Sequence, residues 1–109
     1  MYKVTENDYE FFAQKVYRAA KESHGRFEDT FENTVRLGTQ YYYLQLHVNA
    51  IVYYKNIDEP EGRRIEVKKI VPIWSELKTY NETGDVDERV KNTFSWGNLY
   101  KEIHKLLAV

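Results

Sequence analysis

The sequence predicts an α+β fold. Its form is a two-layer sandwich: an antiparallel meander of three or four strands carrying an N-terminal and a C-terminal helix on one face, in the order α-β-β-β-(β)-α. Three observations predict it. Residues 41–54, YYYLQLHVNAIVYY, are aromatic and β-branched, lack Gly and Pro, and alternate in character, which marks one long strand. Ahead of them, apolar residues recur with helical spacing from Tyr9 to Ala20. Between the two, from Phe27, the apolar period changes to two, and turn residues separate the successive runs.

The first helix is predicted over 6–23. Thr5 and Asn7 each have an acidic residue three positions on, the pattern of a capping box. Tyr9, Phe12, Ala13, Val16, Tyr17 and Ala20 then form one apolar stripe, and Gly25 is a natural stop. In the first strand, Phe27, Phe31, Val35 and Leu37 share one face, and Glu28, Thr30, Glu32, Thr34 and Arg36 the other. Gly38-Thr39 is a short turn. In the long strand, Tyr42, Leu44, Leu46, Val48, Ala50, Val52 and Tyr54 form the apolar face, and Tyr41, Tyr43, Gln45, His47, Asn49, Ile51 and Tyr53 the opposite one. Residues 57–62, with Pro60 and Gly62, make the next turn.

A third strand follows. Ile65, Val67, Val71, Ile73 and Leu77 are expected on its core face; Arg64, Glu66, Lys68, Ile70, Pro72, Trp74, Glu76, Lys78 and Tyr80 are expected outside. Lys69 falls on the apolar face and is expected at a sheet end or snorkelling to water. After a turn at 81–84, residues 85–92 form a short edge strand or a loop. Ser95 caps a last helix whose apolar side is Leu99, Ile103, Leu106 and Leu107. No repeat or linker interrupts the 109 residues, so one domain over 1–109 is expected.

The turns imply a register. Across Gly38-Thr39, Arg36 faces Tyr41, Thr34 faces Tyr43 and Thr30 faces His47. Across the second turn, Tyr54 facing Ile65 sets Tyr53 against Glu66, Ile51 against Lys68, Asn49 against Ile70, His47 against Pro72 and Gln45 against Trp74. A fourth strand would pair Lys78 with Asp87 and Glu76 with Arg89.

Composition narrows the function. The hydrophobic fraction of 42% and charged fraction of 30% suit a globular chain. Cysteine is absent, which removes disulfides, thiolate metal sites and a cysteine nucleophile and fits a reducing compartment. There is no long apolar run and no apolar leader, so a cytoplasmic, non-membrane protein is expected. No metal-ligand spacing, phosphate loop or nucleophile elbow is found, so neither enzymatic activity nor a metal or cofactor is expected. Of the three histidines, only His47 has the central strand position that would suit a general base.

The unusual feature is ten tyrosines. Tyr41, Tyr43, His47, Tyr53 and Trp74 are expected on the face away from the helices. The register makes Trp74 diagonal to Tyr43 and His47, and hence all five one contact patch. Tyr and Trp are enriched at binding surfaces, which points to a protein partner or a homodimer. The alternative is single-stranded nucleic acid stacked on the same face. A formal net charge of −1 weighs against it. The helix–three strands–helix order is similar to that of double-stranded-RNA-binding domains, and a helix followed by a long meander to cystatin-like folds. Both likenesses are of element order alone. The last helix opens Trp96-Gly-Asn-Leu-Tyr-Lys instead of with a phosphate-gripping lysine cluster.

Overall fold

In the computed structural model, which describes residues 2–81, 83 and 92–107, the elements follow the expected order. They are α1 (Glu6–Glu22), β1 (Arg26–Leu37), β2 (Gln40–Glu59), β3 (Gly62–Tyr80) and α2 (Trp96–Leu107). The strands form an antiparallel sheet in the order β1-β2-β3. Of the expected fourth strand at 85–92, all but Asn92 lies outside the described residues. Asn92 forms a parallel bridge with Tyr2.

Thr5 caps α1. Its hydroxyl accepts from the Asp8 N–H, and the Asp8 carboxylate accepts from the Thr5 N–H at 2.9 Å, which completes a capping box. The helix stops at Ser23, and Gly25 takes a φ of +107° that side chains disfavour. The next turn uses Gly38 at φ +63° to return the chain from β1 into β2.

On α1, β2 and α2 the core is built where the pattern places it. Phe12, Ala13, Val16 and Ala20 of α1 meet Leu44, Leu46, Val48, Ala50 and Val52 of β2, and Leu99 and Ile103 of α2 cover the same face. Leu106 is partly buried against this cluster. Both helices therefore lie on one side of the sheet.

The β1–β2 register is as expected, with Thr30 opposite His47 and Thr34 opposite Tyr43. The β2–β3 register is not. The strands pair down to Glu59 opposite Gly62, so Tyr54 faces Val67 instead of Ile65. Two irregularities follow, where β3 carries one extra residue each time: Lys68 between Val67 and Lys69, and Ile73 between Pro72 and Trp74. Each bulge exchanges the faces of the residues beyond it. Between them, Ile70 and Pro72 turn inward opposite Val52 and Ala50, while Lys69 and Val71 turn outward opposite Tyr53 and Ile51. Ile70, expected outside, is fully buried. Val71 and Ile73, expected in the core, are not in it, and Ile73 is half exposed. Lys69 is exposed and needs no snorkelling. After the second bulge the original alternation returns, with Leu77 and Thr79 buried.

Candidate functional site: the outer face of the sheet

Among the described residues, no helix covers the face of the sheet opposite the core. Its cross-strand rows follow from the pairing. At the Gly38 end, Arg36 lies beside Tyr41, and its guanidinium sits 5.5 Å from that ring centre. Next, Tyr43 lies between Thr34 and Tyr80, then Gln45 between Glu32 and Lys78. His47 follows between Thr30 and Glu76, and Asn49 between Glu28 and Trp74. Ile51 lies between Arg26 and Val71, and Tyr53 faces Lys69.

The bulges relocate Trp74. It faces Asn49 instead of Gln45, which keeps it diagonal to His47 but takes it away from Tyr43. The His47 and Trp74 rings are 6.2 Å apart and tilted by 47°. Tyr43 is six β2 positions from Asn49, a distance of about 20 Å along the strand. The structure therefore brings His47 and Trp74 together, joins Tyr41 and Tyr43 to Tyr80 at one end, and sets Tyr53 apart toward the other. Tyr41, Tyr43, Tyr53 and Trp74 are all exposed, between 40% and 55%. His47 is half-buried.

Hydrogen bonds within the rows hold the polar residues. Arg26 donates to Asn49 at 3.2 Å, and Gln45 donates to Glu32. Thr30 Oγ1 lies 2.9 Å from His47 Nδ1. His47 Nε2 is buried and has no hydrogen-bond partner among the described residues. Farther out, Lys68 donates to Glu66 and, by that bond, holds the Glu66 carboxyl below its ordinary range. Charges of both signs alternate across the face: Arg26, Arg36, Lys69 and Lys78 are interspersed with Glu28, Glu32 and Glu76.

The pairing also brings residues to the site that the sequence pattern had put elsewhere. Val71 joins Ile51 as an apolar pair on this face, and Ile73 is exposed beside Trp74. Two sequence signals mark the irregularity: Pro72 inside a strand and Lys69 in phase with the core residues.

Among the described residues, no group of three or more His, Asp and Glu side chains is placed to hold a metal ion. No helix among the described residues is long and apolar enough to cross a membrane. No protein-family model, curated protein or solved structure matches the chain.

Proposed function

We propose that this chain is a non-enzymatic, cytoplasmic protein-interaction module whose outer sheet face meets a protein partner. The observation that carries this reading is Trp74, half exposed in the middle of a face that no described helix covers, with its ring against His47. A sheet face turned to solvent ordinarily alternates to polar side chains. Here Trp74, Ile51, Val71 and His47 form a central strip, with Tyr41 and Tyr43 toward one end and Tyr53 toward the other. Large aromatic side chains in such a strip give contact area at little entropic cost. The interspersed charges of both signs support a protein partner over a polyanion, which selects a continuous basic track.

The test is Trp74→Ala. The side chain points away from the core, so the melting temperature should stay within about 2 °C of the parent. Partner affinity, by isothermal titration, should fall about 30-fold or more, the size of a hot-spot loss. That affinity should change little with salt, and single-stranded oligonucleotides should not bind at physiological ionic strength. A steep salt dependence, or oligonucleotide binding that Tyr43→Ala abolishes, would move the reading to nucleic acid.

A further inference from the structure

Among the described residues the sheet has two open edges, which differ, and we propose that the β1 edge joins two copies of this chain into one continuous sheet. The β3 edge carries the devices that keep an edge unpaired. It is bent by the two bulges. The Asn92 amide donates to the Leu77 carbonyl there at 2.7 Å. Pro72 faces Ala50, a position whose hydrogen-bonding groups turn to β1, so the Pro72 nitrogen turns away from β2 and offers no donor on that side.

The β1 edge has neither bulge nor Pro. Arg26–Leu37 contains no Pro or Gly and keeps an unbroken register with β2. The Val52 N–H donates to the Gly25 carbonyl at 2.8 Å, which fixes the phase of the ladder. Odd positions of β1 are bonded to β2; Glu28, Thr30, Glu32, Thr34 and Arg36 turn their N–H and C=O groups to the open edge. One of these is occupied, because the Thr30 N–H donates to Asp29 Oδ1 at 2.8 Å. The open run is thus Glu32, Thr34 and Arg36.

Two antiparallel copies centred on Thr34 use that run and leave Thr30 out. Glu32 of each copy then lies opposite Arg36 of the other, so complementary charges meet twice on the outer face. On the inner face Phe31 meets Leu37, which is half exposed in the single chain. A centre on Glu32 would set Glu32 against itself and require the occupied Thr30 N–H. A centre on Asn33 would bring neither charge to its opposite. Charge and free donors therefore select the Thr34 register. Its two-fold axis is perpendicular to the sheet, both pairs of helices lie on one side, and the outer faces merge, with Tyr43 of each copy one strand from the axis.

Sedimentation equilibrium on the full chain, over a concentration series, tests this. The expected limiting mass is twice the chain's 13.1 kDa. Glu32→Arg and Arg36→Glu should each raise the dimer dissociation constant about tenfold or more, and the two together should return it to within about threefold of the parent. Thr34→Pro should give a folded monomer, since an edge N–H facing solvent can be given up, with the melting temperature the parent shows at concentrations where it is monomeric. If Thr34→Pro fails to fold, the charge exchange decides alone. A parent that stays monomeric, a charge exchange without recovery, or a folded Thr34→Pro that still dimerises overturns the proposal. A dimer lost with Trp74→Ala and kept with Thr34→Pro would place self-association on the outer face instead. A monomeric parent leaves the outer-face reading standing, because that reading is measured by Trp74→Ala against a partner.

Discussion

Tyr2 shows how one buried side chain ties the start of the chain to the helix that follows. Its hydroxyl donates to Asp8 Oδ2 at 2.6 Å, and the same oxygen accepts the Thr5 N–H. Its ring lies 6.1 Å from that of Tyr42. Burial first, and the carboxylate beside it second, hold the phenol well above the ordinary tyrosine range. A raised pKa means that the protonated phenol is the form the fold favours. The stability it contributes is complete below the unfolded value of 10.0 and is lost as pH rises past it. Tyr2→Phe should cost about 1 kcal/mol near neutral pH, through the lost hydrogen bond. Above pH ~10 the parent should lose stability faster than the variant, by up to about 1.4 kcal/mol per pH unit. Urea midpoints of both proteins at pH ~8 and pH ~11 measure the difference.

At the scale of elements, the strand β3 separates what period-two reading can deliver from what it cannot. Helix α1, with its Thr5 cap and apolar stripe, was legible because local spacing determines it. The β1–β2 register was legible because Gly38-Thr39 is a short turn and no bulge intervenes. Past the second turn, alternation alone set Ile70 outside and Val71 inside, and both were inverted. The pattern carries parity, and a bulge changes parity without any change of composition. Pro72 and Lys69 were the available clues. The candidate site suffered for the same reason: Trp74 kept His47 as a neighbour but lost Tyr43, and Val71 and Ile73 were missed. The inverted segment predicts an unusual pair of variants. Ile70→Ala should cost about 2–5 kcal/mol, as for a fully buried aliphatic side chain. Lys69→Ala, next to it, should stay within about 0.5 kcal/mol. Guanidinium denaturation of the two reports on the faces directly, since unbroken alternation would require the opposite ranking.

The whole molecule measures 53 × 23 × 22 Å, and the long axis has a simple origin. The fully covered part of β2 runs from Leu44 to Val52, where the helices lie over it. Beyond Tyr53 the β2–β3 hairpin continues as a two-stranded ribbon, with most of Lys55 to Glu59 exposed. The seven positions from Tyr53 to Glu59 span about 20 Å. Ion pairs between Arg63 and Asp58 and between Arg64 and Glu59 decorate its tip, and both are solvent-exposed. Exposed pairs contribute little, and a ribbon without a packed face is marginal by itself. Backbone amides of 55–66 should therefore exchange with deuterium at least about tenfold faster than those of 44–52, as mass spectrometry of peptic fragments would show. Equal protection in the two stretches would mean that the ribbon is held by something besides its own ladder.

The two bulges also determine where the length of this chain is negotiable. Lys68 and Ile73 each lack an opposite number on β2. Remove Ile73 and Pro72 still faces Ala50 while Trp74 still faces Asn49, now as successive members of a regular ladder. The same holds for Val67 and Lys69 once Lys68 is gone. Remove Ile70 instead, and residues on one side must exchange core for solvent until a bulge absorbs the slip. Relatives of this protein can therefore differ in length in the middle of the sheet, where gaps are ordinarily least expected, provided that the gap falls on Lys68 or Ile73. An alignment that pushed such a gap out to the nearest turn would mismatch every side chain between.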